Sequence, residues 1–222
     1  RVLFRSLNRD YDIHFVQGTD TSTGQNVGLL TSPMFNVSAM YRTDATVAYP
    51  IDDSTCSSTA SGHTGVSKHY ISELTICNKP VVMIGAHLLA IPTDVDRCVQ
   101  REGQALVLQS VVRDYVSRNY SVILMGDFND YDSNVLDVNQ NKPISNVLTI
   151  LKDAEYSNLT NIAYHVPMDE RYSDWWASVS CDSSSLTDYS MIDHILVSSD
   201  LEQLVSKVFM YHGYDEIGRA HV

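Results

Sequence analysis

Apolar positions recur along this chain with two different periods, and the change from one to the other divides it. The runs "DIHFVQG" (12–18), "QNVGLLTS" (25–32), "ATVAYP" (45–50), "HYISELTIC" (69–77) and "PVVMIGAHLLA" (80–90) are short, β-branched or alternating, and bounded by Gly, Pro, Asn or Asp. That grammar predicts strands. From Asp94 to Asn119 the period lengthens: Leu108, Val111, Val112, Tyr115 and Val116 fall at helical offsets with charges between them, and this amphipathic helix leads into a further strand, "SVILMG". Pro143 suits a helix start, and Ile144, Val147, Leu148 and Leu151 share one face, so a second helix is predicted over 144–151. "MIDHILVSS" is the last clear strand, and no internal repeat is visible. Two Ser- and Asp-rich loops, "DDSTCSSTASGHTG" and "MDERYSDWWASVSCDSSSLTD", have lengths that in a compact domain more often serve function than idle connection.

Three of the apolar strands carry a polar residue near the point where they surface. In "ILMGDFND" the strand runs into Gly126, and period-two alternation is expected to project Asp127 and Asn129 on the same side with Phe128 turned away. A carboxylate beside an amide can hold a water or metal with the first and donate to a phosphoryl oxygen with the second. The plainer alternative is that Asp127 caps a turn and Asn129 is a turn residue. His87 ends the strand of "GAHLLA" and Asp193 lies within "MIDHILVSS". A lone histidine on an apolar strand is usually a satisfied core residue, but ionisable groups on three greasy strands are expensive unless paired or functional. Together they suggest metal-assisted chemistry on a phosphate ester.

"GAHLLA", "MGDFND" and "IDHILVS", in that order, resemble the endonuclease/exonuclease/phosphatase family, and "FVQGTDTSTGQNVGLLTS", "GVSKHY", "DRCVQREGQ", "KPISNVL" and "WW" resemble its secreted nuclease-like members. The likeness covers nearly all of residues 8–211. It implies an α/β fold, a four-layer sandwich of two mixed β-sheets flanked by helices, and hydrolysis of a phosphate ester, DNA or RNA among the substrates, with Mg²⁺, or Ca²⁺ or Mn²⁺ in its place. By matching positions, Asp127 would orient or deprotonate the attacking water and touch the metal, and Asn129 would bind the scissile phosphate. His87 would contact the phosphate or help in proton transfer, and Asp193 would orient a histidine further along. Lys68 stands where many relatives place an arginine facing the phosphate, and supplies charge without a bidentate fork. His69 and His194 are left out because alternation turns each away from its functional neighbour. Arg101 and Gln104 match a family Arg-x-x-Gln pattern, for which helix packing is the expected role. The family's metal-binding Glu and earlier Asn, and its terminal Ser-Asp-His, have no counterpart here. The alternatives are a phospholipid or sugar-phosphate phosphoesterase, and a binding module that keeps the sandwich without the chemistry.

The ends bear on that gap. "RVLFRS" is encoded by CGTGTGCTCTTCCGATCT, whose reverse complement read one base out of phase gives I-G-R-A-H, as in the closing "EIGRAHV". This base string is similar to a sequencing-library adapter, so 1–6 and 217–222 are expected to be adapter-derived, leaving 7–216 as an incomplete domain truncated at both ends. The fragment is expected to hydrolyse its substrate poorly. Its 222 residues, 44% hydrophobic, suit one domain with a sizeable core, and no apolar run approaches the roughly 20 residues that span a bilayer. The formal charge of -12 argues against coating nucleic acid by charge alone. Cys56, Cys77, Cys98 and Cys181 lack metal-ligand spacing. With three sequons at Asn36, Asn119 and Asn158, they point to an extracellular protein with two disulfides whose pairing spacing does not reveal.

Overall fold

The computed structural model describes residues 11–175 and 189–212. The elements are β1 (Asp12–Phe15), β2 (Gly28–Thr31), β3 (Val37–Tyr41), β4 (Val47–Tyr49), β5 (Gly62–Thr64), β6 (Lys68–Ile76), β7 (Lys79–His87), α1 (Val95–Ser117) and β8 (Ser121–Asp127). They continue with α2 (Val147–Leu151), β9 (Leu159–Asn161), β10 (Asp174–Trp175), β11 (Tyr189–Ser190), β12 (Asp193–Ser198) and α3 (Ser199–Glu202). Six strands form one mixed sheet in the order β3-β6-β7-β8-β12-β9, in which β7 and β8 are parallel and the other pairs antiparallel. Two mixed sheets are expected; among the described residues one is present, and the remaining strands form three antiparallel two-stranded ribbons, β1-β2, β4-β5 and β10-β11.

Helix α1 is the crossover that parallel β7 and β8 require. It starts at Asp94, whose side chain accepts from the Asp96 and Arg97 backbone N–H groups at 2.9 and 3.0 Å. It ends where Asn119 takes a left-handed φ of 63°. Val82, Ile84, Ala86, Val122, Leu124 and Leu196 alternate onto one sheet face and meet Leu108 and Val112 of α1 and Val147 and Leu151 of α2. Leu108 and Leu124 are fully buried, so truncating either to Ala costs about 2–5 kcal/mol. The first half of α1 is buried beyond a single stripe, because the β4-β5 ribbon crosses it at Gly103, where a Cβ would stand 2.6 Å from Thr64 Cγ2. Val116, expected on the apolar face, is exposed near the end of the helix, where it lines a shallow cavity with Pro80 and Tyr120.

Helix α2 begins three residues later than the Pro143 signal suggests. The backbone before it is taken up elsewhere: the Ile144 carbonyl accepts from Thr55 Oγ1, and the Asn146 N–H donates to Glu102. Cys56 and Cys98 form a disulfide, Cα–Cα 5.8 Å, pinning the Ser-rich loop to α1. The second bridge expected does not involve Cys77, which is a free, exposed thiol in the tight turn between β6 and β7. There the left-handed backbone of Cys77 and Asn78 closes the hairpin and turns the thiol to solvent. Cys181 lies outside the described residues.

Candidate active site

Strands β6, β7, β8 and β12 bring one end of the sheet to a common edge, and the register there sets four polar residues in a row. Lys68, the first residue of β6, pairs with His87, the last of β7; His87 pairs with Asp127, the last of β8; Asp127 pairs with Asp193, the first of β12. Paired residues share a face, so all four lie on the sheet face away from α1. The close approach of β7 and β8 depends on Gly126, with φ 137° and a notional Cβ only 2.0 Å from the Ala86 carbonyl oxygen.

Asp127 does two things at once. Its Oδ1 accepts from the Asn129 backbone N–H at 2.8 Å, closing the turn, while Oδ2 lies 3.5 Å from His87 Nε2. The structure therefore contains both the turn and the cross-strand contact that the sequence left as alternatives. Burial raises the Asp127 pKa, with Asp174 adding to it and Lys68 opposing it. Burial lowers that of His87, and Lys68 lowers it further, so the imidazole is neutral at neutral pH. Lys68 is buried, with Nζ 3.5 Å from Gln25 Oε1. Asp193 is solvent-accessible, yet desolvation and then the Asp127 charge raise its pKa.

The expected projection of Asn129 is corrected. β8 ends at Asp127 and Asn129 has φ 48°, so strand alternation no longer governs it. Its buried side chain turns inward, donating from Nδ2 to the Leu88 carbonyl at 3.2 Å and tying the exits of β7 and β8 together. The same side-chain amide also bonds to the Asp127 carboxylate, which opposes the rise in that pKa.

The omitted histidines sit in the core, satisfied at both nitrogens. His69 Nδ1–H donates to the Val66 carbonyl at 2.7 Å and Nε2 accepts from the Thr43 N–H at 3.0 Å, with burial driving its pKa down to about 4. His194 Nδ1 accepts from Asn161 Nδ2 at 3.1 Å and Nε2–H donates to the Asp130 carbonyl at 2.9 Å, while its ring stacks on Phe128. Arg101 and Gln104 have the packing role expected of them. Arg101 is fully buried, its guanidinium donating to the carbonyls of Leu89, Ile91 and Pro92, and Gln104 Oε1 accepts from the Leu89 N–H at 3.0 Å; together they hold the loop that leaves His87.

Sequence reasoning missed Asp174. The Ser173 Oγ beside it accepts from the Asp193 N–H at 3.0 Å, which brings the β10-β11 ribbon to the row, and the Asp174 charge raises both Asp127 and Asp193. Asp174 belongs to the "DERYSDWW" stretch, of which Trp176 lies outside the described residues.

Three neighbouring carboxylates are the hard oxygen donors a divalent cation takes, but such a cation takes about six to eight ligands or retains waters. Among the described residues, the close grouping of three ligand atoms is Cys56, Cys98 and Glu102, and its two sulfurs are already joined. The described donors thus suit part of a cation site at Asp127 and do not enclose one.

A family model described as the Endonuclease/Exonuclease/phosphatase family matches residues 2–215. Among solved structures, a protein of that family from Leptotrichia buccalis C-1013-b is similar at 12% identity and a TM-score of 0.50, over 89% of this chain and 65% of that one. Truncated Caenorhabditis elegans TDP2 is similar at 16% identity and a TM-score of 0.49, over 88% of this chain and 64% of that one. The human Nocturnin catalytic domain with bound sulfate anion is similar at 16% identity and 0.49, over 90% and 64%. The chain therefore spans less than two thirds of each. No curated protein sequence matches it.

Proposed function

The chain belongs to the endonuclease/exonuclease/phosphatase family, and from that premise we propose that residues 7–216 are an incomplete part of a metal-dependent phosphoric ester hydrolase, a secreted nuclease-like phosphodiesterase acting on DNA or RNA. The observation that carries this reading is the register Lys68-His87-Asp127-Asp193 across four adjacent strands. An in-line attack by water needs a base, a proton carrier and positive charge around one phosphorus, and this row supplies each type within one sheet edge. Asp127 orients or deprotonates the water and gives an oxygen to Mg²⁺, with Ca²⁺ or Mn²⁺ as the other oxygen-seeking ions. Neutral His87 contacts the phosphate or carries a proton. Lys68 supplies charge, Asn129 presents its side-chain amide beside Asp127 to the phosphate, and Asp193 orients a histidine supplied from outside the described residues. When bound, the cation offsets negative charge growing on the phosphoryl oxygens.

The chain spans 65% of the similar Leptotrichia buccalis protein, and that shortfall supports placing the further metal donors outside these 222 residues. The Cys56–Cys98 disulfide supports an oxidising, extracellular location. The test compares this chain with a longer one extending past both ends, on nucleic acid, phospholipid head groups and sugar phosphates, with and without chelator. The longer chain is expected to cleave nucleic acid only with a divalent cation, and the 222-residue chain to do so weakly. Normal cleavage by Asp127→Ala and His87→Ala variants of the longer chain would sink the reading.

A further inference from the structure

Each of the three Asn-x-Ser/Thr sequons opens a strand of the six-stranded sheet. Asn36 immediately precedes β3, Asn119 stands just before β8, and Asn158 immediately precedes β9. The registers put these starts on one edge. Val37 pairs with Leu74 near the end of β6, Ser121 with Val81 near the start of β7, and Leu159 with Ser198 at the end of β12. The row from Lys68 to Asp193 occupies the opposite edge, and the length of β7 separates the two by roughly 25 Å at a strand's rise per residue.

Their side chains differ from those of most other described asparagines; Asn78, exposed in the turn between β6 and β7, is likewise untied but lies outside any sequon. Asn26, Asn129, Asn139, Asn141, Asn146 and Asn161, none of them in a sequon, are all tied down by side-chain hydrogen bonds. Asn36, Asn119 and Asn158 are exposed, and no bond to a described residue holds their amides. Asn119 and Asn158 also have left-handed backbone, φ 63° and 48°, at the exits of the turns that lead into their strands. The hydroxyls of the same sequons are built into the fold instead: Ser38 Oγ donates to the Glu73 carbonyl, Ser121 Oγ to Asp200 and Thr160 Oγ1 to Glu202. Asn119 and Asn158 both line a shallow cavity of about 370 Å³ with Pro80 and Tyr120, a surface on which a first sugar ring can rest.

We propose that this edge carries N-linked oligosaccharides at Asn36, Asn119 and Asn158, leaving the candidate active-site edge bare. In the transfer, the amide nitrogen bonds to the anomeric carbon of a lipid-linked oligosaccharide, the lipid diphosphate leaves, and the amide gives up one proton. Recognition acts on the unfolded chain, so later burial of Ser121 is no obstacle. The proposal rests on the secreted location given above and is independent of the phosphoesterase chemistry.

The test directs the full chain into a eukaryotic secretory pathway with a cleavable signal and analyses the translocated protein, whether secreted or retained. Treatment with peptide-N-glycosidase in heavy-oxygen water is expected to convert Asn36, Asn119 and Asn158 to heavy-labelled aspartate. Each of N36Q, N119Q and N158Q should remove one step from the glycan ladder and leave any phosphoester cleavage unchanged. Translocated protein with Cys56–Cys98 oxidised and these asparagines unmodified overturns the proposal, whatever the outcome of the activity assay.

Discussion

His87 Nε2 and Asp127 Oδ2 stand 3.5 Å apart at the ends of two parallel strands whose register makes the residues direct partners. The contact is long for a hydrogen bond, and with His87 neutral it is not an ion pair at neutral pH. It is a distance at which a water or phosphoryl oxygen can engage both groups. Replacing either residue by Ala in the longer chain should lower phosphodiester cleavage by about 10² to 10⁴-fold, the size of a general acid–base contribution. His87→Ala should change the melting temperature little, and Asp127→Ala should lower it modestly, since it also removes the turn bond from the Asn129 N–H. Initial rates measured beside thermal melts check both halves of this expectation.

His69 makes folding stability depend on pH. It is neutral in the fold with its pKa down at about 4, held there by burial and then by Arg42, with Asp44 opposing. The unfolded chain takes up a proton near pH 6.5 that the folded chain refuses until about 4, so stability is full above 6.5 and falls as pH drops through that window. The shift corresponds to about 3 kcal/mol. Buried His194 acts in the same direction. Asp130, raised by burial to about 6, acts oppositely, adding stability as pH falls from 6 towards 4. Urea unfolding at pH 7 and pH 5 should show a net loss at the lower pH, and His69→Asn should flatten the slope.

Behind the row, Lys152 Nζ donates to both oxygens of fully buried Asp132 at 2.6 and 2.7 Å, and Asn161 Nδ2 bonds the same carboxylate at 2.9 Å. Burial alone would raise the Asp132 pKa; Lys152, Asn161 and the Asn134 N–H overcome it and hold it low. Lys152→Ala leaves that charge buried without its partner and should cost about 3–5 kcal/mol in chemical denaturation. Asp132→Asn should cost less, since the buried negative charge is removed with the pairing.

The strands from β6 to β8 and the helix α1 are legible because their signals are local: short β-branched or alternating apolar runs, and a change to helical period between Asp94 and Asn119. So is the facing of His87, Asp127 and the two core histidines, since strand alternation fixes it once the strands are placed. The projection expected of Asn129 fails because, two residues beyond the end of β8, the strand period no longer applies, and its left-handed backbone has no signature apart from the turn itself. β3, with "VSAMY", has exposed and half-buried positions mixed along it and no clean period. Asp174 reaches the row through the pairing of β10 with β11, strands far apart in sequence, and through the Ser173 bond to Asp193, and spacing in sequence carries no trace of either.

The Cys56–Cys98 bridge closes a loop over a sequence separation of 42, with Thr55 bonded to Glu102 beside it. Cross-linking a loop of this size should contribute about 2–4 kcal/mol, mainly by restricting the unfolded chain. Thermal melts with and without reductant, and of the Cys56→Ala/Cys98→Ala double variant, measure it. The four-residue row lies on other strands, so cleavage per folded molecule should survive the double change. A matching loss of activity would tie the Ser-rich loop to the site.

Asp174 offers a sharper test of the row, because it acts on the pKa of its neighbours rather than on the fold. Burial is the main reason that Asp127 and Asp193 are raised, and the Asp174 charge pushes both further in the same direction. Removing that charge with Asp174→Asn should lower the pKa of Asp127, so the base stays ionised to more acidic pH. The acidic limb of kcat/KM against pH in the longer chain should therefore move to lower pH. A residue that only braced the β10-β11 ribbon would change the height of the profile or the melting temperature and leave the limb where it was. An unmoved limb, with Asp174→Asn folded and active, would mean that Asp127 is not the group whose ionisation the rate reports.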